Sequence, residues 1–363
     1  MKRISKHALI IFYALISAPV ISQAGFFSDM GKQLQEGLTK STNQDTEPKA
    51  PPSQAETTAA ALTGAYIERH DYEGALKPDD YQCEQLVEPF SRTQDRINEI
   101  FEEALGNASK GILGGLLGGG KTKDAKQEVI KEARLSAKRT NWMTMDMEMQ
   151  YGKSLHQSFI QQSENYYPRS NNKRVKRKYQ QAEALLKQVV TAIDQPHDYT
   201  FQVFLLDSLD VAAYAIPGGY IYLTTATLES DHAQLVLAHE IAHVLKRHQT
   251  RELQARLIDT VSTINDLKKL LDNDSSDPQA LVKTAQLGSG FLNFSKKQEI
   301  QADSCAVRLA AAIPEVDIGK QIVGLTDETL KAVEEDKPRS LFSIHPGYEE
   351  RRQNMEKIAA VLE

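Results

Sequence analysis

Residues 235–245 read Leu-Val-Leu-Ala-His-Glu-Ile-Ala-His-Val-Leu, and the only polar side chains in this run are two histidines four apart and the glutamate between them. A helix this apolar is stable only when buried on nearly every side, so the rest of the chain must wrap it. At 3.6 residues per turn, positions four apart stack on one face, and His239 and His243 therefore direct their imidazoles at a common point. Buried imidazoles without partners are costly, and two converging ring nitrogens are half of a zinc site. Glu240 follows the first histidine on the same side of the helix, placed to act as a base on water and not as a ligand. The competing reading is a helix with two packed histidines and no metal, because five residues with three fixed positions recur by chance. A third ligand has to come from elsewhere.

Glu299-Ile-Gln-Ala-Asp303 supplies a candidate, again in a helical pattern, with two carboxylates four apart on one face. Glu299 is the third protein ligand in this reading, and Asp303 accepts the N–H of a metal-bound imidazole and fixes its tautomer. Taken alone, the same spacing is equally that of a solvated charge pair. His248 lies nine residues after His239, and on a continuous helix it is turned by about 180° from that residue, which makes it a structural residue and not a ligand.

The N-terminus speaks to the compartment. Lys2, Arg3 and Lys6 precede an apolar run from Ala8 to Ile21, and Ser22-Gln23-Ala24 offers small residues at the positions a signal peptidase reads. Residues 1–24 are expected to be a removed signal peptide and the mature protein to be periplasmic. The run is shorter than the ~20 residues a span needs, and Pro19 interrupts it. No later stretch approaches a membrane span, so none is expected after cleavage. The remaining chain has 40 Lys and Arg against 49 Asp and Glu, a net charge of −9, which argues against a nucleic-acid partner. Cys83 and Cys305 are the only cysteines; one disulfide in an oxidising compartment and two buried thiols are both open.

Residues 25–63 contain a Thr-, Ser-, Pro- and Gln-rich stretch without apolar period, expected to be a disordered linker. Helical spacing occupies 83–108, 123–137 and 182–193, so residues 64–144 form a helical N-terminal region. Between the first two lies Gly111-Ile-Leu-Gly-Gly-Leu-Leu-Gly-Gly-Gly120, expected to be a turn or flap because it is too glycine-rich for a stable helix. β-branched and aromatic residues at 199–206, 211–216 and 220–225, the last two around Pro217-Gly218-Gly219, predict a small sheet next to the His-Glu helix. The fold class is therefore α+β, mainly helical. Gly115-Leu-Leu-Gly-Gly-Gly120-Lys121-Thr122 also satisfies the phosphate-loop pattern, but a polar helical stretch and not a buried strand precedes it, so no nucleotide is expected.

With these residues in hand, the chain resembles the HtpX/BepA-like zinc metallopeptidases, gluzincins related to the CAAX prenyl endopeptidase. The resemblance rests on His239-Glu240-Ile241-Ala242-His243, Glu299 with Asp303, the strand turn Ala215-Ile216-Pro217-Gly218-Gly219-Tyr220, and His345-Pro346 followed by Arg351. It covers residues 145–357 and implies a zinc metallopeptidase domain at 145–363. The family usually carries Asn where this chain has Ala212, which puts in doubt a side-chain contact from that position.

The resemblance implies one zinc per chain on His239, His243 and Glu299, and protein or peptide substrates hydrolysed with Glu240 as base. It implies quality control of unfolded or misassembled envelope proteins, with envelope assembly machinery as a possible partner. It brings His345 and Arg351 near the site as oxyanion partners; His345 could instead close the open metal position at rest, and Arg351 could be a surface cation beside Glu349 and Glu350. The strand at 220–225 is expected to pair with an extended substrate. The rival reading is a zinc-containing periplasmic chaperone with little proteolysis, against which an intact Glu240 argues.

Overall fold

The computed structural model describes residues 83, 94–115, 122–272, 294–334 and 348–362. The chain divides into Met1–Gln44 and Asp45–Glu363, and every described residue lies in the second unit. In order the described elements are α1 (Gln94–Gly115), α2 (Thr122–Arg139), α3 (Met145–Gln162), β1 (Tyr166–Tyr167), α4 (Lys173–Thr191), β2 (Gln202–Leu206), β3 (Ala213–Ile216) and β4 (Tyr220–Thr224). They continue with α5 (Thr225–Glu229), α6 (Ala233–Leu245), α7 (His248–Thr260), α8 (Ile264–Leu271), α9 (Lys296–Ala311), α10 (Ile318–Glu334) and α11 (Tyr348–Leu362). The α+β class read from the sequence stands: helices predominate around one four-stranded sheet of order β1-β2-β4-β3. The candidate signal peptide, the linker at 25–63 and His345 lie outside the described residues. Among the described residues no helix is long and apolar enough to cross a membrane.

Period-two alternation divides the sheet between two cores. Val203, Leu205, Ala213, Ala215, Ile221 and Leu223 join the main core around α6, while Leu206, Ile216 and Tyr222 pack with Phe204, Tyr214 and Tyr220 against Leu155 and Phe159 of α3. The hairpin between β3 and β4 turns at Gly218 and Gly219, both at positive φ (84° and 88°), where a side chain is strained. Gly152 lets α3 run against the Pro217 carbonyl, which any β-carbon there would overlap.

The pairing corrects one expectation. β4 has neighbours on both sides, parallel to β2 and antiparallel to β3, so it offers no free edge to a substrate. The outer edge on that side belongs to β3. Thr224 N–H donates to Ala212 O, so the alternating residues Ala213 and Ala215 turn their backbone groups away from β4. Gln249 Nε2 already donates to Ala215 O there. At Ala212 itself, where the family has Asn, the chain is held by backbone: its N–H donates to Thr227 Oγ1 at 2.9 Å and its carbonyl accepts from the same hydroxyl at 2.7 Å.

A second core joins α1 and α2 to α7 and α8 through Ile97, Ile100, Phe101, Ala104, Ala133, Ala137, Leu253, Leu257, Leu267 and Leu271. Asp259 at the end of α7 accepts from Arg134 at 2.8 Å and lies 2.6 Å from Lys138 Nζ, both on α2. Here the glycine expectation fails in part, because α1 continues through Gly111–Gly115. The helix is already nucleated by the preceding turns, and each added glycine costs only about 1 kcal/mol relative to alanine. Residues 116–120 lie outside the described set. Cys83 and Cys305 are bridged, which settles the choice left open by the sequence.

Candidate metal centre

Helix α6 is enclosed as its sequence demands, with Leu235 to Leu245 all buried. It lacks a side-chain cap of its own: His232 at the N-cap makes none, and the Leu235 N–H is satisfied by Gln321 Oε1 of α10 at 2.9 Å. At its other end Arg247 adopts a left-handed conformation (φ 53°), which is uncommon outside glycine. The guanidinium holds that turn from the side, with Nε 2.5 Å from Glu148 Oε2 and Nη2 donating to Met143 O at 2.7 Å. Tyr199 also donates to Glu148, at 2.9 Å. Helix α9 starts on a capping box, Ser295 with Gln298, which fixes the turn that carries Glu299.

These helices bring the candidate ligands together. His239 Nε2 lies 3.0 Å from His243 Nε2 and 3.4 Å from Glu299 Oε2, and His243 Nε2 lies 3.7 Å from Glu299 Oε1. One ligand atom from each of the three falls within 4.8 Å of the other two, and all three residues are buried. Asp303, one turn along α9, accepts from His239 Nδ1 at 2.9 Å. Glu240 is 1 % exposed on the same helix and close enough for its charge to act on Arg351.

Arg351 is not the surface cation that its neighbours Glu349 and Glu350 suggest: it is fully buried on α11. Nε and Nη2 donate to the two oxygens of Asp303 at 2.7 and 2.8 Å, and Nη1 lies 3.0 Å from Glu299 Oε2. This bidentate geometry ties α11 to α9 and orients both carboxylates. His248 stays outside the ligand set, but the geometry expected for it does not hold. The break at Arg247 ends α6 and starts α7, so the continuous-helix geometry does not apply, and His248 Nδ1 comes 2.9 Å from His243 Nδ1. On the other face of His243, Phe294 stacks at 4.0 Å between ring centres.

Charges in the cluster are strongly coupled. Burial lowers the tendency of His239 to protonate, but Asp303 and Glu299 overcome this and raise its pKa from 6.5 to about 9 in the metal-free protein. Burial alone would raise the pKa of Asp303; the adjoining Arg351 and His239 hold it below the usual 3.8. Burial works against the Arg351 cation, and Asp303 and Glu299 reverse the balance, so it stays charged.

The donor set fits zinc: two imidazole nitrogens and one carboxylate, buried and convergent, with an acceptor already in place behind His239. Residues 176–359 match Peptidase family M48. The chain belongs to this family. M48 peptidases are zinc metallopeptidases, and the match takes in α6, α9 and α11. Over 175 residues the chain is 31 % identical to a protein of Vibrio cholerae described as a putative beta-barrel assembly-enhancing protease. That similarity covers 45 % of this M48 chain and 35 % of the relative, so the chain spans about a third of the relative's length. Phe294 and Glu148 have no part in the sequence motifs, Gln301 sits at an unassigned position between Glu299 and Asp303, and the contacts of all three emerge only from the packing.

Proposed function

We propose that this M48 metallopeptidase is a zinc-dependent endopeptidase of the cell envelope that hydrolyses unfolded or misassembled proteins. The observation that carries the reading is the buried convergence of His239, His243 and Glu299 with Glu240 on the same helix turn. Zinc on those three residues would lower the pKa of water and polarise a peptide carbonyl. Glu240 takes the proton of the attacking water and returns it to the leaving amine. Asp303 holds the His239 ring through Nδ1, and Arg351 positions Asp303 and Glu299. With its donors turned on these carboxylates, Arg351 is better suited to positioning than to binding an oxyanion, a role that passes to His345 in this reading. The outer edge of β3 beside α6, where Gln249 holds the Ala215 carbonyl, replaces β4 as the strand to which an extended substrate would add.

Support for the envelope comes from the signal-like residues 1–24, the disulfide, and the relative's description as a beta-barrel assembly-enhancing protease. The test uses purified protein and an unfolded substrate such as reduced casein. About one zinc per chain is expected, and Glu240→Gln should keep the metal while lowering turnover by roughly three orders of magnitude or more. Undiminished cleavage by Glu240→Gln would refute the mechanism. No cleavage by either protein, with chaperone activity intact in both, would favour the assembly-factor reading.

A further inference from the structure

The ring nitrogen of His239 that faces away from the metal position has an evident partner in Asp303. The corresponding nitrogen of His243 faces His248 instead, and beyond it Gln301. His243 Nδ1 lies 2.9 Å from His248 Nδ1, and His248 Nε2 lies 3.1 Å from Gln301 Oε1. His243 and His248 are fully buried and Gln301 is 5 % exposed.

Each of these contacts requires one hydrogen, and that makes the chain directional. The amide oxygen of Gln301 can only accept, so His248 carries its hydrogen on Nε2. With its hydrogen on Nε2, His248 presents Nδ1 as the acceptor for His243 Nδ1–H. His243 is left with a bare Nε2, the nitrogen that lies beside His239 Nε2 and Glu299. The opposite direction would put the hydrogen on His243 Nε2 and bar that nitrogen from a metal.

We propose that His248, oriented by Gln301, is a positioning residue that fixes the metal-binding tautomer of His243. The inference rests on the zinc reading and deepens it. Backbone geometry makes it possible: the left-handed Arg247 turns the chain so that the first residue of α7 comes back against the last turn of α6. Phe294 sets the plane of the same ring. The two imidazoles are thus supported differently, His239 by a carboxylate and His243 by another imidazole. An imidazole orients the ring without adding a second negative charge behind the metal, which preserves the metal's power to polarise.

The experiment is zinc affinity by competition with a chromophoric chelator, supported by the visible spectrum of the cobalt-substituted protein. His248→Leu, which removes the acceptor, should weaken zinc binding roughly 10- to 100-fold and alter the cobalt bands. His248→Asn, whose Oδ1 takes the place of Nδ1, should stay within a few-fold of the parent, a rescue that a purely packing role would not produce. Gln301→Leu should weaken binding several-fold. Equal affinity of His248→Leu and the parent would overturn the inference while leaving the zinc reading standing; absence of zinc from the parent itself would overturn both. Should His248→Leu fail to fold, the other two variants decide: a Gln301→Leu affinity equal to the parent's, or a loss in His248→Asn as large as about 100-fold, counts against the proposal.

Discussion

Helices α6 and α7 follow one another, have 13 residues each and are both buried, yet they are buried in opposite ways. From Leu235 to Leu245, except for its three functional side chains, α6 packs through apolar residues, among them Leu235, Val236, Leu237, Ile241 and Val244. Helix α7 buries His248, Gln249, Thr250, Glu252, Gln254 and Arg256. Its polar groups are spent on neighbours: Gln249 on β3, Gln254 on the Met143 N–H at 2.6 Å, Glu252 on Gln298 at 3.3 Å, and Asp259 on α2. Apolar burial is strong but non-directional, whereas a buried hydrogen bond fixes distance and register. Two of the three candidate ligands and the base therefore sit on one helix, while much of the geometry around them is set by the next.

Three experiments bear on that contrast. The largest stability effect is expected from Arg351→Met, because it leaves Asp303 and Glu299 buried without their cation; loss of ~3–5 kcal/mol in the metal-free protein should be read from denaturant unfolding. A loss under about 1 kcal/mol would mean that the carboxylates are held by apolar enclosure alone. Next comes a pair, Leu237→Ala on α6 against Gln254→Leu on α7. The first should cost ~2–5 kcal/mol by leaving a cavity. The second should cost ~1–3 kcal/mol by leaving the Met143 N–H unsatisfied. Hydrogen exchange should show the first loosening the whole core and the second mainly the junction with α3. Identical exchange patterns would erase the distinction between the helices.

The smallest effect is the pH response of the cluster. His239 has a raised folded-state pKa, so its protonation stabilises the metal-free protein fully below 6.5, and this contribution is lost as pH rises through about 9. Asp303, with a depressed pKa, contributes above about 3.8 and loses its contribution as pH falls further. Thermal unfolding of the metal-free protein at pH 6.5 and pH 9 should show the alkaline loss, and zinc, which must displace the same proton, should remove it. A metal-free protein equally stable at both values would contradict the assignment of that proton to His239.

Much of α6 was legible in the sequence because its pattern is local: periodicity gives the helix, and two histidines four apart give the shared face. The shared face of Glu299 and Asp303 was legible for the same reason, though not that it meets His239 and His243, and so were β3 and β4 around their glycine turn. Arg351 was placed near the site only by family resemblance, since its two acidic neighbours look the same whether it is exposed or buried. The contact of His248 with His243 was not legible because nothing in Lys246-Arg247-His248 announces a left-handed turn; that conformation depends on Glu148, 99 positions earlier. The pairing of β4 on both sides depends on β2, whose register no local pattern encodes.

The bridge between Cys83 and Cys305 spans 222 positions and makes a covalent ring of that length. His239, Glu240, His243, Glu299 and Asp303 all lie on the ring, and Arg351 lies outside it. A single backbone cut within the ring would open it without parting its pieces, so the zinc ligands would remain on one molecule. The bridge thus keeps the candidate ligands on one molecule after a first nick and leaves residues 306–350 as the stretch where one cut separates Arg351 from the residues it positions.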